Sequence, residues 1–189
     1  MAGKRIILVG TGRVLDIGDF GSTRTQSFYA IADGATLANA RTGLTQRTYS
    51  RPADNDTVAS TPLTGAAFYW SSGRGWYFDL PAGEQANTQP VVTYGTVAFV
   101  TNANGSTDCS QSSWLYLVDV GTGQKVAGST FVATLISSTA NASRVITLRA
   151  VDGKIFGTTH RTDDTIFQRQ LPIGTTIPPS KNAWRELRR

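Results

Sequence analysis

The chain has 189 residues, enough for one domain with a buried core, and carries a formal net charge of +5. Only 16% of its residues are charged and only two are Glu, while Thr is the commonest residue and Gly occurs 19 times. This scarcity of helix formers excludes a helical bundle and points to an all-β chain. The charge is concentrated at the end, where "KNAWRELRR" (181–189) holds four basic residues against Glu186 and so supplies +3 of the +5. The remainder has no basic run, and no exposed aromatics are interleaved with its basic residues. A nucleic-acid partner is therefore not expected, and the tail reads as a solvated terminus.

In chain order, "RIILVGTGR" from Arg5 predicts a buried strand closed by glycines, and "QSFYAIAD" from Gln26 predicts a second. "TQRTYS" from Thr45 alternates like a more exposed strand. After a polar loop (52–62) come two further strands, "AAFYW" from Ala66 and "GWYFD" from Gly75. Pro81 ends the latter because proline cannot extend a sheet ladder. "PVVTYGTVAFVTN" from Pro90 predicts one or two strands broken near Gly95, and a polar loop (103–112) leads into "SWLYLVD". "STFVATLIS" carries a faint helical period, but its β-branched residues favour strand. "RVITLRAVDGKIFGTTHR" reads as a hairpin turning on Asp152-Gly153, and "DTIFQRQLP" as a last strand.

Strands rich in aromatics end in Asp at Asp33, Asp79 and Asp119, and Asp152 follows. Successive differences of these numbers give intervals of 46, 40 and 33 residues. Such spacing, with several short strands per unit, suits the blades of a β-propeller, each apolar on both faces because it stacks between neighbours. The fold expected is an all-β propeller segment over 1–180, about four blades of a larger ring, followed by the basic tail at 181–189. A β-sandwich with coincidental spacing is the alternative.

Candidate chemistry is sparse. His160 is the only histidine and Cys109 the only cysteine, so an intrachain disulfide and a multi-histidine metal site are both excluded. A Cys109–His160 nucleophile pair has no local support, and the two Glu residues make a poor catalytic pair. "VGTGR" lacks the Lys-Ser/Thr of a phosphate loop. Asn102, Asn104, Ser106 and Asp108 alternate as the ligands of a calcium loop do, but Asp108 is their only acid and Ser113 stands at the twelfth position. They read as a polar contact loop. "DND" at Asp54 to Asp56 fails similarly, with Gly65 at its twelfth position. No catalytic, cofactor or metal residue is assigned, and three of the four Trp residues, Trp70, Trp76 and Trp114, are expected in the core. No apolar run approaches the ~20 residues of a membrane span.

"VGTGRVLDIGDFGSTRTQSFYAI", "GWYFDLPAGEQ", "PVVTYGTVAFVTN", "CSQSSWLYLVDVGTG" and the closing "WREL" occur in this order across nearly the whole chain. Together they resemble the C-terminal propeller of the PilC/PilY family of type IV pilus tip adhesins and assembly factors. The resemblance implies a non-enzymatic module for pilus biogenesis and attachment to surfaces or host cells. It implies partners among pilus-tip or minor pilin proteins, a surface receptor and the rest of a propeller chain. It also implies an extracellular or cell-surface location, reached through an export signal outside these residues. Family members are longer, and their Asp-rich calcium loop falls upstream of the matched stretch, so no calcium ligand is carried over. Loops 52–62 and 103–112 are the expected contacts. Two other readings stand beside this one: a fragment of a quinoprotein-like dehydrogenase, suggested by "LVDVGTGQ", and a generic protein-interaction propeller.

Overall fold

The computed structural model describes residues 4–13, 19, 21–50, 58–59, 62–104, 111–142, 146–152 and 154–173. Among these residues the chain is mostly strand, with one single-turn helix, α1 (Ala40–Gly43). The first sheet sets β1 (Ile6–Gly10) beside β2 (Ser27–Ala32), and β2 beside β5 (Gly75–Asp79), all antiparallel; β3 (Thr45–Arg47) then joins β5 in parallel. The central sheet is a four-stranded antiparallel meander of β7 (Val91–Thr93), β8 (Thr96–Asn104), β9 (Gln111–Asp119) and β10 (Ala133–Ser137). Two short strands extend it, β6 (Glu84–Gln85) on β8 and β4 (Val58–Ala59) on β10. The third sheet is the meander β11 (Thr147–Val151), β12 (Lys154–His160) and β13 (Ile166–Leu171).

The period-two alternation of β8 and β9 places the central sheet between the other two. Val97 and Phe99 with Trp114, Tyr116 and Val118 form one core with Phe28, Trp76 and Phe78 of the first sheet. The intervening Ala98, Val100, Leu115 and Leu117 form a second core with Ile146, Ile155 and Leu171 on the other side. Both strands are therefore continuously apolar through their centres, at 97–100 and 114–118, and burying each large side chain contributes about 1.5–3 kcal/mol. The aromatic rings fill the first core in a continuous series. Phe28 stacks on Phe99 with ring centroids 3.9 Å apart, and Phe99 stacks on Tyr116 at 4.9 Å. Trp114 and Tyr116 both face the first core, and Leu115 and Leu117 between them face the second.

Hairpin chemistry is local and follows the sequence. Tyr94 and Gly95 link β7 to β8 with φ of 45° and 75°, the doubly positive pattern of a type I′ turn. Asp152 takes φ 49° between β11 and β12, where Val151 pairs with Lys154 across the two-residue loop.

Several expectations are corrected. β1 is an edge strand with alternating exposure, not a buried one, because only β2 pairs with it. "AAFYW" forms no strand; its backbone crosses irregularly while Phe68 and Trp70 drop into the first core at an edge-on ring contact of 4.9 Å. Arg47, on the strand expected to be more exposed, is fully buried. Its guanidinium donates from Nε to the Thr122 carbonyl (2.9 Å) and from Nη1 to the Ala66 carbonyl. The Asp spacing also fails as a unit counter, since Asp33 and Asp79 sit at the ends of neighbouring strands of one sheet. The Asp119 carboxylate caps the turn after its strand, accepting from the Thr122 amide at 2.7 Å. Three sheets, not four, are formed by the described residues, and no sheet closes on itself. The basic tail lies outside the described residues.

Candidate functional site: a polar cleft at the end of the sheet stack

The cleft begins where β1 runs out. Gly12 has φ of 114°, and a Cβ there would lie 2.5 Å from the Gln85 Cβ. Glycine therefore allows the chain to pass against β6, where the Ala86 amide donates to the Thr11 carbonyl (2.9 Å) and the Arg13 amide donates to Gln85 Oε1 (2.7 Å). The glycines of "VGTGR" thus serve close packing against Gln85 and Ala86. Thr11 and Ser27 exchange hydrogen bonds across the strand ends, at 2.9 Å from the Thr11 amide and 2.8 Å from the Ser27 amide. The Gly21 amide donates to the Asn104 carbonyl at 2.8 Å, tying the following turn to the central sheet.

These bonds frame an open cleft of about 720 Å³. One wall is Arg13 with Asp19, whose carboxylate accepts from Arg13 Nε at 2.8 Å and whose carbonyl accepts from Gln85 Nε2 at 3.2 Å. Ser22, Thr23, Arg24 and Gln26 line the other. Arg24 is exposed, and its guanidinium has no partner among the described residues. Among the described residues no aliphatic or aromatic side chain lines the cleft.

Behind Gln26 lies a second polar group. Ser27 Oγ donates to Asp79 Oδ1 at 2.6 Å, and Arg41 grips both Asp79 oxygens at 2.6 and 3.1 Å while stacking over the Tyr77 ring. Burial by itself would raise the Asp79 carboxyl, but the hydrogen bonds from Arg41 and Ser27 outweigh it and hold the group below its ordinary range. The hydrogen bond to Asp79 likewise holds the Arg41 guanidinium above its ordinary value. A carboxylate neutralised in this way is a weak base, so the Ser27–Asp79–Arg41 group acts as a clamp between β2 and β5.

Of the residues expected in a contact loop, Asn102 and Asn104 belong to β8 and are buried, while Ser106 and Asp108 lie outside the described residues. Asn102 Oδ1 accepts from the Ala142 amide (2.8 Å), and its Nδ2 donates to Asn87 Oδ1 (2.7 Å). Asn141 Nδ2 donates to Asn104 Oδ1 at 2.6 Å. These amides join the central sheet to the segment entering the third, because two-residue alternation turns them inward where a loop would have turned them out. Loop 52–62 and Asp54 to Asp56 lie largely outside the described residues, with only 58–59 and 62 within them. Cys109 is also outside them, and His160 stands exposed at the end of β12. Trp70, Trp76 and Trp114 are buried as expected.

Glu84 is the residue that composition hid. It is buried on β6 and accepts from Thr101 Oγ1 (2.6 Å) and Tyr116 Oη (2.8 Å). The short "PAGEQ" turn carries no periodic signal that would have placed it inward. Among the described residues no three His, Cys, Asp or Glu side chains are grouped to hold a metal ion, and no helix is long and apolar enough to cross a membrane. No family model, curated protein or solved structure matches this chain.

Proposed function

We propose that this chain is a non-enzymatic binding and assembly module, a propeller segment from a type IV pilus tip adhesin of the PilC/PilY kind. The observation that carries the propeller part is the central meander, covered by a sheet on each face. A two-sheet sandwich buries each sheet on one face only, whereas a propeller blade stacks between two neighbours. The pilus part rests on the ordered sequence resemblance. On this reading the sheets form a rigid scaffold, and the polar cleft at their ends is the recognition surface. The segment would work at the cell surface with pilus-tip or minor pilin proteins and a surface receptor, and calcium would bind elsewhere in the intact chain.

An antibody raised to this chain, used on sheared pili, tests the proposal. A band far above 20.2 kDa in the sheared fraction is the expected result. A band confined to the cytoplasm at that mass overturns the pilus reading. The quinoprotein alternative requires a spectral or thermal response to pyrroloquinoline quinone with calcium.

A further inference from the structure

The structure assigns the Arg13–Arg24 cleft as a site for a singly charged, polyhydroxylated acid, of which a uronic acid is the simplest representative. This inference rests on the binding-module reading and names the ligand class for that module's cleft.

Four observations converge on this class. Arg24 presents a guanidinium with no partner among the described residues, and a guanidinium fork matches a carboxylate bidentately. Arg13 bonds Asp19 through Nε, which fixes the base of its side chain and leaves its two terminal nitrogens unbonded among the described residues. With Asp19 offsetting one of the two cations, the described lining residues carry a single net positive charge, which suits one carboxylate. Finally, Ser22, Thr23 and Gln26 offer hydroxyl and amide groups for a ligand's own hydroxyls, and no large apolar side chain is among the described lining residues. A volume of about 720 Å³ accommodates one or two sugar rings.

The test uses the full chain, with glucuronate, glucose and inorganic phosphate as separate probes, followed by ligand-observed NMR and calorimetry at low ionic strength. Glucuronate is expected to bind at least tenfold more tightly than glucose, and Arg24→Ala to weaken it at least tenfold. Arg24→Lys should recover only part of that loss, because a point charge lacks the fork. Arg24 is exposed, so Arg24→Ala should melt as the parent does; Gln26→Leu provides a second variant that should weaken glucuronate and leave phosphate unaffected. Equal binding of glucuronate by parent and Arg24→Ala overturns the proposal, as does equal affinity for glucose. Displacement of glucuronate by equimolar phosphate overturns it too, reducing the cleft to a general anion site. A failed binding test beside a high-mass band in sheared pili removes only the ligand class. Specific binding beside a cytoplasmic band removes only the pilus assignment.

Discussion

The two outer sheets end the stack in different ways. On the first sheet, Phe28 and Ala30 point into the core, so the opposite face is formed by Ile7, Val9, Tyr29 and Ile31 at one end and by Ser27, Tyr77 and Asp79, under Arg41, at the other. Ile7 and Val9 are 48% and 40% exposed there. On the third sheet, the face opposite Ile155 and Leu171 sets Thr147, Arg149, Lys154, Thr158, Gln168 and Gln170 among Val151, Phe156 and Ile166. A mixed face of that kind is stable in water, whereas contiguous aliphatic and aromatic surface is normally covered. The Ile7, Val9, Tyr29 and Ile31 end of the first sheet is therefore the more favourable of the two described outer surfaces for a further sheet to cover.

The largest effect expected lies between these ends. Phe99→Ala, in the ring series shared by the first and central sheets, should cost about 3–5 kcal/mol in denaturant unfolding. The matched truncation Ile7→Ala on the outer face should cost less than about 1 kcal/mol. Comparable losses for the two would mean that the outer face is already covered.

Removing the buried Arg47 side chain as Arg47→Met is next. It strands the Thr122 and Ala66 carbonyls, each costing about 1–3 kcal/mol if left unpaired. Guanidinium desolvation already lowers its pKa, so part of that loss is offset by no longer burying a charge. Unchanged stability would mean that water replaces the guanidinium.

The ends are compared directly by charge insertion. Through its exposed Ile7 and Val9 the chain is expected to self-associate in sedimentation velocity, and Ile7→Asp with Val9→Asp should reduce that association while changing folding stability by less than about 1 kcal/mol. Val151→Asp with Ile166→Asp on the third sheet should leave association unchanged. Equal effects from both pairs would erase the distinction.

The smallest expected effect is in acid. The Asp79 carboxyl is depressed in the folded chain, so below the ordinary carboxylate value near 3.9 the unfolded chain binds more protons than the folded one. Its contribution is present above that pH and is lost as pH falls through the lower folded value. Asp79→Asn should flatten the acid limb of a stability–pH curve, and an unchanged limb would place the proton uptake elsewhere.

Local chemistry made much of the fold legible. Asp152-Gly153 and Tyr94-Gly95 mark their hairpins because positive φ favours particular residues, and the doubly apolar "SWLYLVD" announces a strand covered on both faces. Proline at 81 ends its strand as read. "AAFYW" misled because its aromatics are buried without pairing: burial and strand pairing come together in most short apolar runs, and here they separate. The Asp spacing misled because a chain interval does not say which sheet a strand joins. β2 and β5 are far apart in the chain yet pair directly in the first sheet, which brings Asp79 beside Ser27.

The cleft was the least visible feature. It joins Gly12 and Arg13 to the turn at 21–26 and to Gln85, three separate stretches with no shared motif. By itself the sequence determined that the chain is all-β, where its tight turns fall, and that its central strands need two cores, because these follow from backbone torsion and two-residue alternation. Only the tertiary structure decided that Asn102, Asn104, Arg47 and Glu84 turn inward and that Arg24 is left without a partner among the described residues. Those outcomes depend on which backbone carbonyls and side chains distant segments bring within hydrogen-bonding reach, and local patterning carries no record of that.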